Sequence, residues 1–392
     1  MSDMIWMVVV RASLGASAFV AGMFLLNLPL FRRAGKLEKP LEAGHRSNAE
    51  ATPRVDVLIP ARNEALRIRG VLDAILLSEG VQVEVCVLDD ESQDGTDRIV
   101  QEYAARDTRV RLLRGQPKPA GWSGKQYACW QLGQSAIADE CVFLDADVIL
   151  APDALARSVA LRRRTGVDLL SGFPRQRVVT VGEQLLIPLI HVVLLCFLPF
   201  VLMRWSRMVA AAAGCGQFFL TKRSAWLQSG GHSLIRQSLH DGVMLPRAYR
   251  KLGFRTDLFD ASDLAECRMY TGFGETWLGL MKNAVEGFAK ISVLPVISVL
   301  IGLSSILPMI LTVLLFLSVI PQQHRVPVAI AGVFSYLPRV VCCFRYDRAW
   351  IGTVLHPFGM ILFLVIQWVA LIRMWLGKGV QWRQRSYEVV PS

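Results

Sequence analysis

ECVFLDAD, residues 140–147, is the stretch on which the reading of this chain turns. Its first six residues, 140–145, form a short apolar run of strand character that closes on Asp145, and Asp147 follows one residue later. On a continuing strand both carboxylates would face the same side; at a strand end they can converge on one hard cation. Mg2+ or Mn2+ takes oxygen ligands and bridges phosphate oxygens, which stabilises charge developing on a diphosphate leaving group. An Asp-x-Asp pair alone is equally a solvated strand end, so its weight depends on the sequence around it.

On either side, VDVLIP (55–60), VEVCVLD (83–89), RVRLL (110–114) and VDLLSGF (167–173) also read as strands, with helical stretches between most of them. Near-continuous apolar strands alternating with helices predict an α/β domain whose mostly parallel sheet is covered on both faces. Ligands of such sheets bind beyond the carboxyl ends of the strands, and four more motifs fall where that rule looks. In VLDDESQDGT (87–96), Asp89 and Asp90 end a strand and can accept bonds from a base or ribose, while Asp94 is placed to N-cap the next helix. In IPARNEA (59–65), Pro60 ends a strand and Arg62, Asn63 and Glu64 open a helix, whose N-terminus suits a nucleotide. In GWSGKQYA (121–128), Lys125 opens a helix after two glycines, without the spacing of a Walker phosphate loop. Lys125 is either a charge partner for a diphosphate or a surface lysine. In LHDGVMLPRAY (239–249), Asp241 is either a helix N-cap or a general base for an acceptor hydroxyl.

Over 392 residues the hydrophobic share is 53% and the mean hydropathy +0.39, which calls for membrane spans. The net charge is +11, and the cations gather beside apolar runs: Arg32, Arg33, Lys36 and Lys39 after the first, Lys378, Arg383 and Arg385 after the last. That placement suits anionic lipid headgroups and a cytoplasmic flank better than nucleic acid; Arg162, Arg163 and Arg164 could contact either or form a solvated helix end. Eight cysteines without a C-x-x-C pair suggest buried reduced thiols, not disulfides or zinc. The expected layout is a membrane anchor (1–36, with the span at 12–31), a linker (37–54), a catalytic domain (55–290), membrane helices (291–376) and a basic tail (377–392). Within the domain, 184–203 is apolar and reads as an interfacial or re-entrant pair broken at Pro188 and Pro199. One anchor and three later spans (292–320, 327–344, 352–376) put both termini outside, against the basic tail. Either a later segment is re-entrant, for which Pro295 and Pro308 make 291–321 a candidate hairpin, or the charge rule fails there.

Taken in order, the five motifs resemble the family 2 glycosyltransferases of GT-A fold over most of residues 54–290. The resemblance implies that Pro60, Arg62, Asn63, Glu64, Asp89 and Asp90 hold the nucleoside of a nucleotide-sugar. It implies that Asp145 and Asp147 serve donor and Mg2+ or Mn2+, with Lys125 beside the diphosphate, and that Asp241 is the catalytic base. Two departures stand out. His240 occupies a position that is commonly acidic, where it would lower the basicity of Asp241 or mark a different acceptor. ECRMYTGFGETW (266–277) replaces the Q-x-x-R-W motif of processive synthases, which favours transfer of a single sugar. GW-S-GK, GGHSLIR (230–236), RMY (268–270) and MKNAVEGF (281–288) are similar to membrane glycosyltransferases of hopanoid and carotenoid gene neighbourhoods. The tail QWRQRSY (381–387) resembles their W-x-G-R-x-Y ending, with Gln384 in place of glycine. The implied activity is inverting transfer of one sugar from a UDP-linked donor to a hydroxyl of a lipid or other membrane-associated acceptor, with the domain on the cytoplasmic side of the inner membrane. A processive polysaccharide synthase and a non-catalytic nucleotide-sugar-binding membrane protein are the alternatives.

Overall fold

The computed structural model describes residues 3–36, 52–284, 286–377, 380–382 and 385–387. Most of the expected 37–54 linker, and the tail position Gln384, lie outside the described residues. The chain forms two compact units. One holds Phe31–Arg175 and Leu202–Met269; the other holds Met1–Leu30, Gln176–Val201 and Tyr270–Ser392.

The first unit is built on eight strands: β1 (Arg54–Ala61), β2 (Gln82–Asp89), β3 (Val110–Arg114), β4 (Glu140–Leu144), β5 (Val148–Leu150), β6 (Leu169–Gln176), β7 (Phe218–Lys222) and β8 (Thr256–Cys267). Their order is β3-β2-β1-β4-β7-β6-β8-β5. The first four are parallel, β7 runs antiparallel to β4 and β6, and β5 runs antiparallel to β8. Side chains alternate across a strand, so the apolar run of β1 feeds two cores. Val55, Val57 and Ile59 pack with Val71 and Ile75 of the helix Ile68–Leu76 and Val100 of Thr96–Arg106. Leu58 packs with Leu88, Phe143, Leu132 of the helix Gly124–Ser135 and Tyr249 of Asp241–Lys251. Each such aliphatic side chain contributes about 1.5–3 kcal/mol when fully buried. The double burial is why these strands carry almost no polar residues.

Three strands of this unit escaped the sequence reading: β5, β7 and β8. The longest, β8, carries Asp257, Asp260 and Ser262, all buried, and so lacks an apolar signature. Asp260 accepts from Arg33 Nε at 2.9 Å and Ser262 Oγ at 2.6 Å; Asp257 lies 3.2 Å from Arg204 Nε. Nor is Arg162 solvated. It is 3% exposed and makes a two-pronged pair with Glu140 at 2.7 and 2.6 Å, which anchors its helix to the start of β4. Removing one partner of so buried a pair costs about 3–5 kcal/mol.

The second unit contains four helices long and apolar enough to cross a membrane: Asp3–Leu30, Leu294–Phe316, Gln322–Asp347 and His356–Trp375. The first begins nine residues before the expected span. The candidate hairpin at 291–321 is instead one helix with a π turn at Gly302–Ile306. Pro308 has no N–H to give the carbonyl four residues back. That carbonyl, Ser304 O, lies 3.2 Å from Ser17 Oγ of the first helix, and Leu303 O lies 3.2 Å from Ser13 Oγ. The 184–203 stretch forms Val181–Leu186, Leu189–Phe197 and the start of Phe200–Trp205. Pro188 keeps helical angles, so the sharp break is at Leu198, which is extended. Asn27 mends it: its Nδ2 donates to Leu195 O (2.8 Å) and Leu198 O (2.7 Å), and its Oδ1 accepts from Phe200 N at 3.2 Å.

Candidate active site

The loops after β1, β2 and β4 meet at one end of the sheet, and the register explains why. Ala61 pairs with Asp89, so the two strands stop together and their loops interlock. Arg62 Nη1 donates to Asp90 O at 2.6 Å and lies 3.5 Å from Glu91 Oε2. Asn63 takes a left-handed backbone (φ 55°), which a short polar residue tolerates, and its Oδ1 accepts from Gln93 N at 2.9 Å. Arg62, Asn63 and Glu64 therefore lie in a loop; they do not open a helix, which starts only at Ile68. Asp94 is likewise not the N-cap of the following helix. Gly95 takes that position at φ 87°, while the Asp94 carboxylate bridges the two loops, accepting from Ala65 N (2.9 Å) and from Thr96 N (3.1 Å) and Oγ1 (2.6 Å). Asp89 Oδ2 accepts from Ser92 N at 3.2 Å; its Oδ1 is buried without a protein partner and free for a ligand.

Asp145, Ala146 and Asp147 form the turn from β4 to β5, and the two carboxylates go different ways. Lys125 Nζ lies 2.6 Å from Asp145 Oδ1, 2.9 Å from Asp241 Oδ2 and 3.2 Å from Gly216 O. Three residues from distant motifs thus meet in one ionic cluster. Local structure delivers each of them. Ser123 N-caps the Lys125 helix through Gln126 N, while its N donates to Arg236 O and its Oγ to Ser238 O, which ties that helix to the segment before Asp241. Asp241 is the first residue of its own helix, and its Oδ1 accepts from Gly242 N at 2.9 Å. Burial alone would raise the Asp241 carboxyl; Lys125, then His240 and His232, outweigh it and hold the group below its ordinary value. Burial would likewise lower Lys125, but Asp145 and Asp241 lift it well above the usual range. The ammonium and the Asp241 carboxylate are charged at neutral pH.

Asp147 has the opposite environment. Burial first, then repulsion from Asp145 and Glu64, pushes its carboxyl up to about 7 against the pull of Arg67 and Cys267. Its Oδ1 is buried with no partner. Among the described residues no three His, Cys, Asp or Glu side chains make a metal cage. The unsatisfied oxygen of Asp147 nevertheless fits a cation that brings phosphate oxygens as its other ligands.

Two features of this site went unread in the sequence. Gly214 and Gly216 precede β7: Gly214 N donates to Gly242 O at 2.7 Å, and any side chain at 216 would overlap the Asp241 carboxylate. The G-x-G doublet before an apolar strand is the signal that could have found them. Cys267, which ends β8, pairs with Val148 beside Asp147 and has no local signature at all. Gly216→Ala is expected to leave the fold intact and lower any turnover that depends on Asp241 by about 10²-fold, since a misplacement of about 1 Å costs that much. Steady-state rates beside a thermal unfolding curve check it, and a rate within threefold of wild type would remove Gly216 from the site.

Residues 56–226 match the family described as Glycosyl transferase family 2. A 4,4'-diaponeurosporenoate glycosyltransferase of Staphylococcus haemolyticus is 27% identical over 62% of each chain, so the match spans less than two thirds of that relative. The enzyme of the same name from Staphylococcus aureus (strain bovine RF122 / ET3-1) is 25% identical over 98% of each chain. Among solved structures, a mannosyltransferase from Pyrobaculum calidifontis, in complex with GDP-Man and Mn2+, superposes with a TM-score of 0.51 at 18% identity, covering 93% of this chain and 99% of that one. The match of residues 56–226 to that family and the GT-A fold of the sheet together identify the chain as a glycosyltransferase.

Proposed function

We propose that the enzyme moves one sugar from a UDP-linked donor to a hydroxyl of an apolar, lipid-type acceptor, with inversion, and that Asp241 is the general base. The observation that carries this reading is the Lys125 cluster, which keeps a buried carboxylate ionised beside the strand ends where family 2 enzymes take their donor. Arg62, Asn63, Glu64, Asp89 and Asp90 hold the nucleoside, and Pro60 ends the strand that presents them. Asp147, with Asp145, would hold Mg2+ or Mn2+, which would neutralise charge on the diphosphate. As the acceptor oxygen bonds to the anomeric carbon, the bond from that carbon to the diphosphate breaks and the hydroxyl proton passes to Asp241. Attack from the face opposite the leaving group inverts the centre.

The relatives' names describe a carotenoid acid as acceptor, which supports an apolar acceptor here. An ionised Asp241 favours a hydroxyl over a carboxylate, because a carboxylate has no proton to give and would be repelled. The four apolar helices, and the cations that follow the first of them, support a multi-pass protein of the inner membrane with its catalytic unit on the cytoplasmic side. Lipid mass spectrometry of a deletion strain against wild type tests the whole reading: a glycolipid absent from the deletion names sugar and acceptor together, and an unchanged lipid profile overturns it.

Lys125 is the positioning residue in this scheme, and its test is a pH profile. With Lys125 present, Asp241 titrates below the ordinary carboxylate range and stays ionised well into acid. In Lys125→Met burial becomes the dominant influence, and burial raises a carboxyl. The acid limb of transfer activity is expected to move to higher pH, and Lys125→Arg is expected to move it part of the way back. An unmoved acid limb in Lys125→Met would count against Asp241 as the base.

A further inference from the structure

The catalytic unit has a polar cavity of about 410 Å³ whose lining includes none of the residues assigned to the transfer reaction. Arg32, Arg204, Arg207, Arg250 and Arg255 line it, against a single carboxylate, Asp257. The volume lies in the range of small-molecule sites. Arg250 is spent on structure, donating to Thr256 and to the carbonyls of Met203 and Met208. Arg204 pairs with Asp257 through Nε, but its Nη1 is buried without a partner although the side chain is only 5% exposed. Burial, and then Arg32, push its guanidinium below its usual value against the pull of Asp257. Arg32, Arg207 and Arg255 are exposed and form no ion pair among the described residues. Guanidinium groups crowded on one cavity repel each other until an anion enters, and their planar forks match phosphate oxygens.

The cavity lies far from the donor site. Thr256 and Asp257, which line it, begin β8, whereas Cys267 ends the same strand, paired with Val148 next to Asp147. Eleven steps of about 3.3 Å put roughly 36 Å between the two ends. Its rim has the makeup of a membrane interface. Arg32 stands two residues beyond the apolar helix Asp3–Leu30, Trp205 is 67% exposed, and Leu202 and Met208 are also exposed. Tryptophan and arginine together mark the headgroup level of bilayers.

We propose that this arginine cavity binds a phosphate-bearing anion, supplied by the headgroup of an anionic phospholipid. The test uses the full chain in neutral detergent, titrated with dihexanoylphosphatidylglycerol, dihexanoylphosphatidylcholine and inorganic phosphate. Phosphatidylglycerol is expected to bind saturably and at least tenfold more tightly than the other two. The combined variant Arg32→Gln, Arg207→Gln, Arg255→Gln is expected to weaken it about tenfold or more, with donor hydrolysis unchanged. The matching lysine variant should recover part of the affinity. If inorganic phosphate binds as tightly as the lipid and displaces it, the phosphate site stands and its ligand comes from solution. Absence of saturable binding by either anion, or wild-type affinity in the glutamine variant, would overturn the proposal. Should the triple variant fail to fold, Arg207→Gln alone decides, with a loss of about threefold expected and an unchanged affinity counting against it.

Discussion

Asp241→Asn is expected to lower sugar transfer by about 10³-fold, within the range contributed by a general base, while donor affinity stays within about twofold. The substitution keeps the shape of the side chain and an oxygen to accept from Gly242 N. It removes only the charge and the proton-accepting capacity. Lys125 loses one carboxylate but keeps Asp145 at 2.6 Å and Gly216 O at 3.2 Å, so its ammonium stays compensated and the strand ends stay in place. Initial rates with saturating acceptor, beside calorimetric titration of the nucleotide-sugar, separate the two roles. Transfer above a tenth of wild type would remove Asp241 as the base. A parallel collapse of donor affinity would make it a donor-site residue instead.

What the sequence made legible follows from how local each signal is. Strands β1, β2, β4 and β6 could be read because both faces are buried, and burial on both faces leaves a run of apolar residues; the edge strand β3, only partly buried, showed itself by Val110, Leu112 and Leu113. Strand β8 could not be read, because Asp257, Asp260 and Ser262 are satisfied by Arg204, Arg33 and one another. Those partners lie 53 and 227 residues away in the cases of Arg204 and Arg33, and no window along the chain contains them. The site divides in the same way. Asp145, Lys125 and Asp241 each stood at an element boundary and could be singled out, but that one ammonium joins all three is a fact of the fold. The local readings that failed, a helix at Arg62–Glu64 and a cap at Asp94, failed because interlocking loops took the polar groups that local capping would have used. His240 acts in the same direction as Lys125, favouring the charged form of Asp241, so it extends the pH range in which the base is ionised and lessens its intrinsic proton affinity.

Asp147→Ala separates the second half of the site from the first, and its two expected effects have opposite signs. Metal-dependent transfer should fall by about 10²-fold or more, since a bound cation contributes several kcal/mol to transition-state charge stabilisation. Stability should hold or rise. The carboxyl is crowded by Asp145 and Glu64, held up near 7, and leaves a buried oxygen without a partner. An unpaired buried polar atom costs about 1–3 kcal/mol, and alanine removes both that cost and the repulsion. The sign of the linkage follows: a carboxyl raised above its unfolded value favours the folded protein in acid and disfavours it as pH rises through about 7. The gain in melting temperature on substitution should therefore be larger at pH 8 than at pH 5. Thermal melts at the two pH values and Mn2+ titration in the presence of UDP measure both effects. Transfer that is unchanged in EDTA, or Mn2+ affinity in Asp147→Ala equal to wild type, would remove the cation from Asp147. A residue that merely held the loop together would lose stability on substitution at every pH, so a rise in stability joined to a loss of Mn2+ binding belongs only to a side chain strained in the apoprotein for the sake of its ligand.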